Sequence, residues 1–130
     1  MEMTRTNYSS GAPLEEKAGY SRMVTVGPFI YLGGTTSVKS DGIVHGENDP
    51  YEQAKFIFDK LLKIMEKADA GAENVVKVKA YVTDMSFASE IARAYSEYFK
   101  EVKPLFTMVG TTMLNRPTQL VEIEMDAIKY

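Results

Sequence analysis

The sequence predicts an α+β domain in which two helices cover one face of a single mixed β-sheet. Two segments repeat apolar residues at helical spacing, and they alternate with segments rich in β-branched and aromatic residues, in the order β-β-α-β-α-β-β. Helices and strands arranged in this way favour an open sheet with both helices on the same face. The 130 residues are enough to build one hydrophobic core without disulfides.

Residues 1–19 are rich in serine, glycine, proline and charge and show no usable period, which predicts a loosely ordered N-terminal arm. Residues 20–130 form the single predicted domain. It begins with two β-rich runs, Ser21–Val26 and Phe29–Thr35. Gly27-Pro28 separates these runs and predicts the turn of a hairpin.

Each predicted helix has a start signal. Asp49 followed by Pro50 places a capping acid before a proline whose missing N–H costs nothing in the first turn. The apolar period that follows lasts about twenty residues, and Gly71 supplies the stop. Ser86 is the predicted cap of the second helix, which begins at Phe87.

Three more strands complete the predicted sheet: Val75–Thr83, Leu105–Met113 and Gln119–Ile128. The last one alternates apolar and acidic residues, and this period of two puts each set on its own face of the sheet. The apolar set is Val121, Ile123 and Met125, and the acidic set is Glu122, Glu124 and Asp126.

The acidic set lies on the sheet face that no predicted helix covers. In the strand after Pro104 we assign Phe106 and Met108 to that same face. The opposite parity, with Leu105, Thr107 and Val109, stays open because this strand is apolar on both sides. Either choice exposes an apolar strip on a small domain, which usually means association with other copies of the chain. We therefore predict a homo-oligomer.

The composition excludes several kinds of chemistry. There is no cysteine, which rules out disulfides, thiolate metal sites and cysteine nucleophiles, and His45 is the only histidine. The net charge of −3 argues against the broad basic surface that nucleic-acid binding uses. No apolar run approaches the ~18 to 20 residues of a membrane span, so we expect a cytoplasmic protein without membrane contact.

Several short segments together carry a family resemblance. They are Gly19-Tyr20-Ser21, Val26 to Gly34, Pro50 to Ala54, Val75-Val76-Lys77, Tyr81 to Asp84 and Val121 to Glu124. The segments follow in order over residues 19–128. They resemble the RidA/YjgF family, also called the liver perchloric-acid-soluble protein family.

The resemblance implies a chorismate-mutase-like fold and a homotrimer whose three sheets form a central barrel, with three clefts between subunits. Deaminase-type members hydrolyse reactive enamines and imines to 2-keto acids and ammonia, without a metal or an organic cofactor. Other members have been described as endoribonucleases. We therefore expect self-association, a small-molecule ligand and no cofactor.

The resemblance also implies site residues. Glu122 matches a cleft glutamate that positions or activates a water, and Tyr20 matches an aromatic residue near the ligand. Gly33-Gly34 stand where the family usually has Ser-Gly, whose backbone groups reach the ligand. Phe106 stands where deaminase-type members have the arginine that grips the substrate carboxylate, and Met108 replaces a residue that is often cysteine.

The substitution at Phe106 bears on the expected ligand, because phenylalanine has no donor to replace a bidentate arginine. Phe106 and Met108 beside Glu122 predict an apolar cleft with one acid, which suits a neutral, aromatic or cationic ligand. Arg116 follows Phe106 by ten residues, which is ~20 Å or more along an extended strand. We therefore expect only a neighbouring chain to deliver it to this cleft.

Three functions remain open. The first is a Rid-family enzyme with altered substrate choice, in which Glu122 handles the proton. The second is a non-enzymatic trimer that binds a small molecule or a protein. The third is an endoribonuclease, which the acidic balance and the absence of a histidine pair disfavour. From the residues alone, Glu122 also fits a solvated acidic face, and Gly33-Gly34 fits a β-bulge.

Overall fold

The computed structural model describes residues 3–130 and contains one mixed sheet with helices packed against it. The strands are β1 (Arg5–Tyr8), β2 (Met23–Val26), β3 (Phe29–Thr35), β4 (Val75–Val82), β5 (Leu105–Gly110) and β6 (Val121–Ile128). The α-helices are α1 (Pro13–Ala18), α2 (Pro50–Met65) and α3 (Ala88–Phe99). The sheet order is β1-β2-β3-β6-β4-β5, in which only β4 and β5 are parallel. The predicted α+β class with a mixed sheet is confirmed.

Helix α2 begins as the sequence predicts. The Asp49 side chain accepts a hydrogen bond of 3.1 Å from the backbone N–H of Glu52, and Pro50 occupies the first turn. The α-helix ends at Met65 and continues as a single 3₁₀ turn. Asp69, with a φ of 54°, then breaks the turn in a left-handed conformation. The chain therefore leaves the helix before the predicted stop at Gly71.

The start of α3 differs from the prediction. The carboxylate of Asp84 accepts a hydrogen bond of 2.9 Å from the backbone N–H of Ser86, and it caps a 3₁₀ turn over Met85–Phe87. The α-helix follows at Ala88, and the Ser86 side chain makes no capping bond to it. Asp84 competes successfully because a carboxylate is a strong acceptor for orphan N–H groups at a helix start.

The N-terminal segment also differs from the predicted loose arm. Strand β1 pairs with β2 in antiparallel register, and α1 packs so that Glu15 is buried. The arm is ordered because the Glu15 carboxylate collects hydrogen bonds from neighbouring serines and an ion pair with Arg22. The amino-acid composition did not predict this order, because a single buried acid produces no periodic pattern in the sequence. Residues 1 and 2 of the predicted arm lie outside the described residues.

One hydrophobic core lies between the sheet and the helices α2 and α3. Helix α2 contributes Ala54, Ile57, Phe58, Leu61 and Met65, all fully buried. Helix α3 contributes Ile91, Ala94 and Phe99. Strand β6 presents Val121, Ile123, Met125 and Ala127 to this core. The alternation predicted for β6 is therefore confirmed, and its acids lie on the opposite face.

Strand β5 has the opposite parity to the one we assigned. Phe106 pairs with Val78 and Met108 pairs with Ala80, both of which face the core. The ring of Phe106 stacks on Tyr95 of α3, with centroids 4.0 Å apart and an angle of 4° between planes. Phe106 and Met108 thus lie on the face that the helices cover, and assigning them to the acidic face was wrong. Packing against the aromatic face of α3 determines the parity of a strand that is apolar on both sides.

The uncovered face carries both charge and apolar surface. The strand register places Leu105 and Val109 on it, where Lys77 and Tyr81 of β4 separate them from the acids of β6. Phe29 and Tyr31 of β3 lie on the same face, opposite Ile128 and Asp126. Leu105 is 69% exposed and Tyr31 49%. Exposed apolar groups on both sides of the charged strands β4 and β6 fit contact with other copies of the chain, as the sequence led us to expect.

Candidate functional site

Three of the residues that the sequence singled out meet in one groove. The groove has a volume of about 750 Å³, and Glu122, Gly34 and Tyr20 line it. One wall is the turn before α1, and another is the loop that follows β3. Helix α2 and the loop before β6 complete the lining. The site is therefore built from segments far apart in sequence. It lies near the end of β3, where the pairing of β3 with β6 stops.

Glu122 is the acid of this groove. It is half-buried, and burial raises the pKa of its carboxyl, with a smaller contribution from the negative charge of Glu124. The positive charge of Arg22 acts against this shift without cancelling it. A carboxyl with a raised pKa exchanges protons more readily near neutral pH, which is the property required of a general acid or base.

Gly34 is in contact with that carboxyl because it has no side chain. A Cβ atom at this position would lie 2.2 Å from Oε2 of Glu122 and 3.1 Å from its Cδ. At Gly33 the nearest atoms would be backbone oxygens at 3.6 Å, which is ordinary contact. The two glycines occupy an irregularity in the pairing of β3 with β6, as one alternative in the sequence analysis anticipated. Of the two glycines, Gly34 is the one whose missing side chain allows the Glu122 carboxyl to lie where it does.

Arg22 supports the same corner of the groove. Its Nη1 donates to the backbone oxygen of Gly34 at 2.7 Å and to the hydroxyl of Thr35 at 3.0 Å. Its Nη2 lies 3.1 Å from the carboxylate of Glu15 in a buried ion pair. Burial raises the pKa of Glu15, but the hydrogen bonds from Ser10 and Ser9 and the charge of Arg22 together hold that pKa below its ordinary value. This ion pair keeps Arg22 in place, and Arg22 in turn holds the backbone of Gly34 beside the Glu122 carboxyl.

Tyr20 lines the groove close to Arg22. Its side chain is 44% exposed, and the Arg22 guanidinium carbon lies 5.7 Å from the centre of its ring. The ring thus offers an accessible aromatic surface beside the Glu122 corner.

Sequence reasoning missed the cations of the groove. Arg22, Lys39, Lys60 and Arg116 all line it. Arg116 lines the groove in the same chain as Glu122. The expectation that only a neighbouring chain could bring Arg116 to Phe106 stays a prediction, because Phe106 lies outside this groove. The loop after β5 turns back over the groove instead of extending, because Gln53 of α2 donates to Thr118 O at 2.9 Å and Gln119 donates to Thr36 Oγ1 at 3.1 Å.

Phe106 and Met108 do not join Glu122 within one chain. Both pack against the core and neither lines the groove. Their strand β5 is an edge of the sheet. Glu124 and Asp126 are also outside the groove, and Glu124 accepts a hydrogen bond of 2.8 Å from the hydroxyl of Tyr81. Among the acids of β6, Glu122 alone faces the groove.

Comparison with known proteins agrees with this fold. The family model described as Endoribonuclease L-PSP matches residues 10–129. The chain belongs to the RidA/YjgF family. A RutC family protein of Pyrococcus abyssi is 34% identical over 111 residues, covering 85% of each chain. An uncharacterized protein of Streptomyces coelicolor, SCO2049, is 31% identical over 120 residues, covering 92% of this chain and 89% of that protein.

A solved relative shows the same architecture. The crystal structure of Rv2704 from Mycobacterium tuberculosis, described as a member of the YjgF/YER057c/UK114 family, superposes with a TM-score of 0.87 at 33% identity. The match covers 97% of this chain and 100% of that one. Membership of the RidA/YjgF family is thus supported by sequence and by fold. In the described part of the chain, no helix is long and apolar enough to cross a bilayer.

Proposed function

We propose that this RidA/YjgF protein is a homotrimer that hydrolyses small enamines or imines to carbonyl compounds and ammonia, with Glu122 as the group that moves the proton. The observation that carries the proposal is the half-buried carboxyl of Glu122, whose pKa is raised by burial and which lies against Gly34 in a groove open to a ligand. A solvated strand-face acid would lack both the burial and the groove.

The proposed chemistry needs one group that accepts and returns protons. An enamine first becomes the imine by gaining a proton at its terminal carbon and losing one from its nitrogen. Glu122 then accepts a proton from water while the water oxygen bonds to the imine carbon, and it passes that proton to the nitrogen. It then transfers the hydroxyl proton of this carbinolamine to the same nitrogen, the C–N bond breaks, and ammonia leaves. Arg22 holds the backbone oxygen of Gly34 at 2.7 Å and so keeps the wall beside Glu122 in position. Proton transfer by one positioned group typically contributes 10²- to 10⁴-fold.

The test uses freshly generated 2-aminoacrylate and bulkier imines, with ammonia release compared with spontaneous hydrolysis. Glu122→Gln should lower the catalysed rate by about 10²- to 10⁴-fold. Asp126→Asn is the matched control, because Asp126 lies four residues along the same strand face but outside the groove. Equal rates for the wild-type protein and Glu122→Gln on every substrate tried would remove the proposal.

The trimer is proposed from the uncovered face of the sheet. Leu105 is 69% exposed there on an edge strand, and Tyr31 of β3 is 49% exposed on the same face, with β4 and β6 between them. Leu105→Lys places a charge in the proposed contact and should shift light-scattering mass from trimer to monomer. Ala92→Lys, on the exposed surface of α3, is the control and should stay trimeric. A monomeric wild-type protein would contradict this part of the proposal.

A second candidate is a trimer that binds a small molecule without turning it over. The observation that favours it is Phe106, because the ring is stacked on Tyr95 and no arginine occupies this position of β5. Saturable thermal stabilisation by a ligand, with no product formed, would favour the binder over the enzyme. The cytoplasmic location expected from the sequence remains a prediction.

A further inference from the structure

We propose that Lys60 is a nucleophilic amine of the groove, which forms a reversible imine with small uncharged aldehydes and ketones. The proposed hydrolysis by Glu122 uses no covalent bond to the protein, so this is a further activity of the same groove. The sequence analysis did not single out Lys60, because one lysine on a helix surface carries no pattern.

Lys60 lines the groove from α2. Phe56 lies one helical turn before it and also lines the groove, since residues four apart share a face of a helix. Lys60 is half-buried, whereas Lys63, less than one turn further along α2, is exposed and outside the groove. The other lysine of the groove, Lys39, lies 3.9 Å from the carboxylate of Asp41. Lys60 is therefore the half-buried amine of this lining.

The amine nitrogen of Lys60 is open to a ligand. It forms no ion pair and no side-chain hydrogen bond with any residue between 3 and 130. Within the same residues, every fully buried side-chain nitrogen or oxygen has a hydrogen-bond partner. The Lys60 nitrogen is therefore not fully buried, and the groove that the side chain lines gives access to it.

The surroundings of Lys60 favour the neutral form of its amine. Burial and the positive charge of Arg22 lower its pKa, and the negative charge of Glu15 opposes this shift without cancelling it. Arg22 and Glu15 are held in a buried ion pair of 3.1 Å. The groove also contains the charges of Lys39, Asp41, Arg116 and Glu122. A lysine that is partly desolvated near another cation is activated as a nucleophile, because only the neutral amine attacks.

The chemistry needs only the amine and solvent. The neutral nitrogen attacks the carbonyl carbon, a C–N bond forms, and a proton moves from the nitrogen to the oxygen. The hydroxyl group of this carbinolamine takes a proton from solvent and leaves as water, and the nitrogen returns a proton to solvent as the C=N bond is completed. Water reverses both steps, so the adduct forms and dissociates without an oxidant or a reductant.

The rest of the lining suits the hydrocarbon part of such a compound. Leu14, Tyr20, Val38 and Phe56 give the groove apolar and aromatic surface. Small-molecule sites typically combine such a lining with a few polar groups. Since the bond to Lys60 forms at the carbonyl carbon, the ligand needs no charge. This agrees with the neutral ligand that the sequence predicts.

Propanal with sodium cyanoborohydride tests the proposal, because the reductant converts an imine into a stable propylated amine. Peptide mapping of the wild-type protein after brief exposure near neutral pH should find Lys60 to be the first lysine labelled. Its labelling rate should saturate with propanal concentration and should reach its maximum at a lower pH than that of acetyl-lysine, because its pKa is lowered. The α-amino group also reacts near neutral pH, and the mapping separates its label. Labelling of Lys60 no faster than that of Lys63 would overturn the proposal.

Two variants separate the amine from its charge. Lys60→Arg keeps the positive charge but has no nucleophilic amine, and it should lose the saturable lysine labelling. Lys63→Arg is the matched control on the same helix and should be labelled at Lys60 as the wild type is. Saturable lysine labelling that persists in Lys60→Arg would also overturn the proposal. The wild-type map decides the question even if Lys60→Arg folds poorly. Since ammonia release is not measured, this proposal and the proposed hydrolysis can fail separately.

Discussion

The sharpest test of the Glu122 corner is Gly34→Ala. The added Cβ would lie 2.2 Å from Oε2 of Glu122, whereas ordinary contact begins near 3.4 Å. The methyl group is attached to backbone that Arg22 holds at 2.7 Å, so the carboxylate is the part that moves. The required displacement is about 1 Å, which in a positioned catalytic group can lower the rate by about 100-fold.

Stability should change little, because the clash involves the end of a flexible side chain and the backbone at Gly34 does not have a positive φ. We expect a cost below about 1 kcal/mol, as for surface changes away from the core. Gly33→Ala is the matched control, since its Cβ would meet only backbone oxygens at 3.6 Å. It should keep both the rate and the fold.

The assay is ammonia release from 2-aminoacrylate, paired with an NMR titration of the Glu122 carboxyl. Moving the carboxylate toward solvent should lower the pKa of Glu122 in Gly34→Ala, because burial is the main cause of its elevation. The titration of Glu122 tests its contact with Gly34 even if the protein binds a ligand without turning it over. Identical rates and identical titrations in Gly34→Ala and Gly33→Ala would refute the assigned contact between Gly34 and Glu122.

Three further changes test the supporting structure. Glu15→Ala should lower the free energy of unfolding by about 3–5 kcal/mol in urea, because Arg22 is left buried and unpaired, and Glu15→Ala/Arg22→Ala should lose less than the two single changes added. The native wild-type protein holds a proton on Glu122 between the unfolded-state pKa and the raised folded-state pKa, so it loses stability as the pH rises through this window. Glu122→Gln has no such proton and should therefore gain stability relative to the wild type over the same pH range. A constant difference in unfolding free energy across that window would contradict the raised pKa. Phe106→Ala should lower the free energy of unfolding by about 2–3 kcal/mol through loss of the stack on Tyr95. A decrease no larger than that caused by truncating a neighbouring exposed residue would show that the stacked ring does not stabilise the fold.

The sequence predicted most of the sheet and helices because those elements carry periodic signals. Strand β6 alternates apolar and acidic residues, and Asp49-Pro50 marks the start of α2, so both were found. The N-terminal strand and α1 were missed because their order depends on one buried acid, Glu15, and on pairing with β2. Neither of these leaves a repeating pattern along the chain.

The site was predictable only in part, for a related reason. Glu122, Gly34 and Tyr20 were identified through the family resemblance, and the structure brings them into one groove. Lys60 was not singled out in the sequence, and Arg116 was judged too far from Phe106 under the assumption of an extended chain. The hydrogen bond from Gln53 of α2 to Thr118 turns that loop back. Such a contact joins residues 65 positions apart, beyond the reach of any local pattern.

The absence of an arginine on β5 therefore has a narrower meaning than the sequence suggested. Phe106 removes one means of holding an anion, but the groove beside Glu122 receives Arg116 from the loop after β5 and Lys60 from α2. If Lys60→Met and Arg116→Gln both slow ammonia release from an anionic imine, these cations take over the role of the arginine that β5 lacks. Unchanged rates in both variants would instead leave the aromatic and apolar lining of the groove as the basis of recognition.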